Sequence, residues 1–234
     1  MITHSTLLAF DFDGTLAPIC DDPASVRLPR AAMALLAEAA ALRGVAVAVV
    51  SGRDVDDLVR RIQLPGLYLI GSHGLEIRAP GGILVRGAPP LRAEVDVDLR
   101  TAALAAGLRL ETKKHALTLH WRGQRDEAAA PIAERFRAWA RAHELDVIEG
   151  RCVVEARCAG AGKAEALRWL SSALATPRIL YAGDDVTDFE ALHFAARSGR
   201  GVFVASAERA APPGVTVVQS FLELFRLVRQ EVMI

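Results

Sequence analysis

Two carboxylates, Asp11 and Asp13, stand two residues apart where the apolar run LLAF gives way to Gly14 and Thr15. On extended backbone that spacing sends both side chains to one side. A third carboxylate at Asp184 would complete an all-oxygen set that suits Mg2+ left open to water and a substrate phosphate. A carboxylate beside such a cation can attack phosphorus and form an aspartyl-phosphate, because the cation offsets the repulsion between two anions. Asp11, at the end of the run, is the expected nucleophile. Asp13 is expected to protonate the leaving oxygen and then to take a proton from the hydrolytic water. Gly14 would let the backbone turn close to the phosphate, with Ser51 and Lys163 holding its oxygens by a hydroxyl and an ammonium.

These groups need a scaffold that gathers distant segments. Short β-rich runs recur between helical stretches: LLAFD (7–11), VAVAVVS (45–51), YLIGS (68–72), RILYAGD (178–184), GVFVA (201–205) and VTVV (215–218). Helical spacing falls between them, in RAAMALLAEAAALR, DVDDLVRRI, KAEALRWLSSALA and DFEALHFAARS. The alternation predicts an α/β fold with a parallel sheet covered on both faces. Such sheets bind ligands beyond the carboxyl ends of their strands. The ends here carry Asp11, Asp13 and Thr15, then SGR (51–53), GSHG (71–74) and GDDVTD (183–188). From about Pro90 the order changes to helix (91–106), strand (108–113), strand (116–122), helix (127–143), strand (145–149) and strand (152–157). This αββαββ pattern predicts a smaller α/β unit inserted into the first. The expected division is 1–88 and 159–234 for the larger unit and 89–158 for the insert.

Composition narrows the class. The 234 residues carry 28 basic and 28 acidic side chains with no clustered basic stripe, which argues against a nucleic-acid partner. No apolar stretch approaches the roughly 20 residues of a membrane span. The first ten residues lack a charged n-region and a cleavage site. Three cysteines, Cys20, Cys152 and Cys158, lack metal-ligand spacing and suit a reducing compartment. The expectation is a soluble, cytoplasmic monomer acting on a small molecule.

Each feature also has a plainer reading. An isolated pair of aspartates is commonly a solvated turn, SGR an ordinary helix start capped by Ser51 or Asp54, Lys163 a surface lysine, and GDDVTD a capped helix entry. Their occurrence at successive strand ends, in this order, favours catalysis. A phosphoacceptor signalling domain also gathers aspartates, a hydroxyl and a lysine at strand ends, but its layout has no counterpart to the insert.

The chain resembles the haloacid dehalogenase superfamily of phosphotransferases: DFDGT (11–15) is similar to its first motif, Ser51 to its second, Lys163 to its third and GDDVTD (183–188) to its fourth. Within it, LETKKHALTLHWR (110–122) and GRCVVEARCAGAGKAEAL (150–167) are similar to stretches of the trehalose-6-phosphate phosphatase family. Trp121 stands for the usual tyrosine there, and Cys158 for the usual proline. The resemblance implies a Rossmann-like core, a C2-type cap, and Mg2+-dependent hydrolysis of trehalose 6-phosphate through a phosphoaspartate. Another sugar phosphate, sucrose phosphate or mannosyl-3-phosphoglycerate, is the alternative. The expected phosphate-binding set is Thr15, Ser51, Gly52, Arg53 and Lys163. Asp11, Asp13 and Asp184 are the expected metal ligands, with Asp185 and Asp188 one layer behind.

In the insert, Glu111, Lys113, His120, Arg122, Arg151 and Glu155 are the expected substrate-binding residues. Alternation along ALTLHWR puts Leu117, Leu119 and Trp121 on one side and Thr118, His120 and Arg122 on the other, where sugar hydroxyls could meet mixed carboxylate and ammonium groups. The plainer reading is a solvated face with Glu111 and Lys113 as a weak ion pair. His73 is read as an organiser of its loop.

Overall fold

The computed structural model describes residues 4–20, 22, 24–150, 152–160, 162–206 and 209–232. The chain begins with β1 (Thr6–Asp11), α1 (Arg30–Ala40), β2 (Val45–Val50), α2 (Val55–Arg61), β3 (Leu67–Gly71), β4 (Glu76–Arg78) and β5 (Leu84–Gly87). There follow α3 (Val97–Ala105), β6 (Arg109–Thr112), β7 (Ala116–His120), α4 (Asp126–Ala142), β8 (Asp146–Gly150) and β9 (Val153–Arg157). The last stretch holds α5 (Lys163–Ala173), β10 (Arg178–Gly183), α6 (Phe189–Ser198), β11 (Arg200–Val204), β12 (Thr216–Val218) and α7 (Phe221–Val232). Two compact units result, Met1–Gly87 with Gly162–Ile234, and Ala88–Ala161.

The larger unit has one sheet in the order β12-β11-β10-β1-β2-β3-β4-β5. Its pairs are parallel from β12 to β3 and antiparallel from β3 to β5. Strand alternation explains the layers on either side. Leu8, Phe10, Val47, Val49 and Leu180 pack with Leu35 and Leu36 of α1, Leu58 of α2 and Leu224 of α7. Leu7, Ala9, Ala46, Ala48 and Tyr181 face the other way, onto Leu167 and Leu170 of α5 and Leu192 of α6. Both faces are covered, so the strands read as unbroken apolar runs. β1 lies between β2 and β10. Successive strands run outward from it in opposite directions, and beside such a reversal the carboxyl ends leave a crevice.

In the smaller unit the antiparallel order is β6-β7-β9-β8. Leu117 and Leu119 of β7 and Val154 and Ala156 of β9 pack against Leu99 and Ala103 of α3 and Ala133, Phe136 and Trp139 of α4. Residues of opposite parity, Glu111, Thr118, His120 and Glu155, take the other face. Register puts Glu111, Thr118 and Glu155 in one row across three strands.

Some boundaries differ from the sequence reading. The expected strand 116–122 stops at His120, because Gln124 N–H donates to the Trp121 carbonyl at 2.9 Å across a turn with Gly123 at φ +85°. Arg122 therefore lies in that turn and not on the strand face. The expected helix 91–106 begins only at Val97, where the Asp96 carboxylate caps Leu99 N–H at 2.7 Å. β4, β5 and α7 go beyond the expected elements. No helix among the described residues is long and apolar enough to cross a membrane.

Phe136 is fully buried, with its ring 5.4 Å from that of Trp139. Phe136→Ala is expected to lower the stability of the smaller unit by about 3–5 kcal/mol, measured by urea unfolding.

Candidate active site

β1 ends at Asp11, and the chain at once closes a tight loop. Phe12 stays in the core, its carbonyl accepting from the N–H groups of Leu16 and Ala17, while Gly14 N–H donates to the Ala17 carbonyl at 2.7 Å. Gly14 adopts φ +89°, and a Cβ there would lie 2.0 Å from Oδ2 of Asp184. Glycine is required on both counts.

The centre of the site is a buried ammonium. Lys163 opens α5, and its Nζ donates to Oδ1 of Asp11 at 2.6 Å and to Oδ1 of Asp188 at 2.8 Å. The Tyr181 hydroxyl donates to the same Asp188 oxygen at 2.5 Å, and Asp185 N–H to its Oδ2 at 3.1 Å. Thr15 donates to Oδ1 of Asp184 at 3.0 Å. Burial pushes the Asp11 carboxyl well above the usual range, opposed by Lys163 and reinforced by Asp188 and Asp184. Burial and then repulsion from Asp188 push Asp184 up to about 6. Burial disfavours the Lys163 charge, but Asp11 and Asp188 outweigh it and hold the ammonium above its ordinary value.

Carboxylate oxygens of Asp11, Asp184 and Asp188 lie within 4.8 Å of one another. Three carboxylates and one ammonium leave two negative charges when all are ionised, a hard-oxygen set suited to a small divalent cation. Asp188 already accepts three hydrogen bonds, two on one oxygen. It therefore anchors Lys163, while Asp11 and Asp184 are the better ligands. The carboxylate of Asp13 is not in this group. Arg53 holds it with Nε and Nη2, both at 2.7 Å. A second carboxylate, Asp57, accepts from the same guanidinium at 3.0 Å and from Arg61 at 2.7 Å.

The loop after β2 rests on the loop after β3. Ser51 Oγ accepts from Arg53 N–H at 3.1 Å. Ser72 N–H donates to the Arg53 carbonyl at 2.7 Å, His73 N–H to the Ser51 carbonyl at 2.9 Å, and the Ser72 hydroxyl to Asp54 at 3.0 Å. Asp54 is thus the residue preceding α2, with its side chain given to Ser72 and not to a cap. Ser72 and His73 both lie in the left-handed region, at φ +50° and +53°. Backbone of that kind costs about 1–3 kcal/mol per residue.

On the polar face of the smaller unit, Lys113 pairs with Glu155 at 2.5 Å, Thr118 donates to the same oxygen at 2.9 Å, and His120 Nε2 lies 2.8 Å from Oε2 of Glu111. Four of the expected substrate-binding residues are therefore joined in two contacts on one face. Arg122 lies in the turn after β7, and Arg151 lies outside the described residues.

Residues 9–211 match the family model of trehalose-phosphatase, most of the chain. The chain belongs to the trehalose-phosphatase family. A trehalose-phosphate phosphatase of Mycobacterium marinum is 34% identical over 211 residues, which cover 85% of this chain and 54% of that protein. The chain thus spans about half the length of the curated relatives it matches. A solved trehalose-6-phosphate phosphatase related protein superposes with a TM-score of 0.76 at 22% identity, covering 97% of each chain. The C-terminal domain of the C. albicans trehalose-6-phosphate phosphatase superposes with a TM-score of 0.75 at 20% identity, covering 99% of this chain and 93% of that one. Both share the fold of this family member.

In this trehalose-phosphatase family chain, Asp11 at the end of β1, Lys163 at the start of α5, and Asp184 and Asp188 beyond β10 come together. The Asp185 carboxylate turns instead to Arg209 at 3.1 Å. Two participants escape the sequence reading. Tyr181 shows only as a phenol inside an apolar strand, and Asp57 only as an acid four residues beyond Arg53.

The His120 hydrogen bond, only partly opposed by burial, and the nearby Lys113 charge hold the Glu111 carboxyl below its ordinary value. A lowered folded value stabilises above the unfolded pKa, and that stability is lost as the pH falls through the folded value. His120→Ala is expected to bring Glu111 back up toward its ordinary value and to remove part of the acid-side stability loss. A carboxyl NMR titration checks it.

Proposed function

We propose that this chain hydrolyses trehalose 6-phosphate to trehalose and inorganic phosphate. The observation that carries the reading is Asp11, a carboxylate buried at a strand end, 2.6 Å from its buried ammonium partner and two residues before an acid held by arginine. Family membership supplies the substrate class.

Asp11 would attack phosphorus through the oxygen not bound by Lys163. Asp13, released from Arg53, would first take up a proton from solvent; the bond to the sugar oxygen then breaks, and that oxygen takes the proton from Asp13. Asp13 then accepts a proton from the water that cleaves the aspartyl-phosphate, which frees Asp11 and leaves Asp13 protonated again. Magnesium, held by carboxylates of Asp11 and Asp184, would neutralise charge between the nucleophile and the phosphate dianion. Lys163, Ser51 and the Gly52 amide would hold phosphate oxygens. Arg53 would exchange Asp13 for the arriving phosphate, because both offer it paired oxygens. Thr15, directed at Asp184, would act on phosphate only by changing partner, and Asp13 would join the metal only by leaving Arg53. Glu111, Lys113, His120 and Glu155, with Arg122 and Arg151, would read sugar hydroxyls. The three cysteines are free thiols, which fits work as a monomer in the reducing cytoplasm.

Phosphate release with Mg2+ is expected from trehalose 6-phosphate well ahead of sucrose 6-phosphate, glucose 6-phosphate and mannosyl-3-phosphoglycerate. Asp11→Asn should lower it by about 10⁴-fold or more, and Lys163→Met by about 10²–10³-fold. A chelator should abolish release and added Mg2+ restore it. Full turnover in Asp11→Asn would remove the nucleophile assignment, and preference for another ester would remove the substrate.

A further inference from the structure

The most strained backbone beside the site, Ser72–His73, has no part in the chemistry above. Its geometry is nonetheless directed at the groups that do. The left-handed turn sends two successive amides back to the carbonyls of Arg53 and Ser51, while Ser51 N–H donates to the Ile70 carbonyl at 2.9 Å. Arg53 N–H is taken by Ser51 Oγ. Those bonds leave out the Gly52 N–H. The His73 ring closes the remaining side: a Cβ on Gly52 would lie 2.4 Å from its Nε2 and 2.6 Å from its Cε1. The imidazole thus fills the space where Gly52 would otherwise carry a side chain. The next residue, Gly74 at φ +104°, packs so closely that a Cβ there would lie 2.8 Å from the Gly162 carbonyl and 2.7 Å from Ala166. Gly162 immediately precedes Lys163 at the start of α5.

We propose that His73 is a positioning residue for phosphate binding: its ring and left-handed backbone fix the Ser51–Gly52 turn, while the adjoining Gly74 seats the start of the Lys163 helix. A single turn thereby aligns an amide and hydroxyl from one strand end with an ammonium from another. Strain at a non-glycine pair persists only where the surroundings over-determine it, as these bonds and contacts do. The proposal rests on the phosphatase reading, since it assigns the turn to phosphate.

The test compares the chain with His73→Gly and His73→Asn in magnesium buffer. It measures the Kd of inorganic phosphate by calorimetry, KM and kcat on trehalose 6-phosphate, and the thermal midpoint. Glycine accepts φ +53° without strain, so His73→Gly is expected to hold or raise the midpoint. Its phosphate Kd and KM are both expected to rise about tenfold with kcat little changed, a loss of about 1.4 kcal/mol in binding. Asparagine tolerates the left-handed backbone and refills part of the space, so His73→Asn should fall between and keeps the test readable should the glycine variant fold poorly. An unchanged phosphate Kd in the folded variants, whatever the midpoint does, overturns the proposal and leaves His73 a space-filler. A wild-type chain that binds phosphate yet spares trehalose 6-phosphate overturns the phosphatase reading alone, and the phosphate Kd values still decide the role of His73. A wild-type chain that binds no phosphate overturns both.

Discussion

A lysine ammonium with almost no contact with water is tolerable only if anions replace its hydration, and in this protein two do so. Asp11 arrives from the end of β1 and Asp188 from the entry to α6, and Lys163 meets both from the first residue of α5. Removing one partner would strand a charge in a low-dielectric interior, which is far more costly than never having buried the pair. Three segments, one of them more than a hundred residues from the other two, are thereby held to one geometry. Tyr181 and the Asp185 amide complete the arrangement by donating two further hydrogen bonds to Asp188.

The excess of negative charge around that ammonium is what makes the site receptive. Burial holds Asp11 and Asp184 above their ordinary range, and the charge of Asp188 pushes both further, so a cation among these carboxylates relieves a repulsion already present. A few residues away the sign is reversed. Arg53 stands between Asp13 and Asp57, and Asp57 is itself shared with Arg61. The guanidinium is thus kept at the mouth of the β1 loop by a second acid, Asp57. Cation-hungry and anion-hungry groups lie side by side, as a metal-assisted phosphoryl transfer requires.

Much of this was legible because parallel strands end in chemistry. Asp11, Ser51 and Asp184 each follow an apolar run, and period-two alternation in β7 separates Leu117 and Leu119 from Thr118 and His120. The sequence does not reveal which side chain meets which. Asp13 and Arg53 are 40 residues apart, Thr15 and Asp184 169, and no spacing rule links them. β4 and β5 are three and four residues long and antiparallel, with exposed apolar residues at Leu84 and Val85, so neither periodicity nor a long run marks them. α7 is different: Phe221, Leu224, Phe225 and Val228 have helical spacing and bury against the sheet, so its signal was present. Arg122 misled because alternation continues through Trp121, while the turn at Gly123 is set by one backbone angle.

β1 also has a history imposed by its place in the chain. One edge pairs with β2, where Thr6 meets Val45, but the other pairs with β10, where Thr6 meets Arg178. During synthesis at about 5–20 residues per second, that second edge waits on the order of ten seconds for its neighbour. The contiguous stretch Ala88–Ala161 emerges in that interval and can condense by itself, since its sheet uses no strand from outside. Until β10 emerges, an unpaired apolar edge is exposed at the heart of the nascent protein. β1 is therefore made before the insert and before the strand that closes its second edge, so its enclosure waits on both.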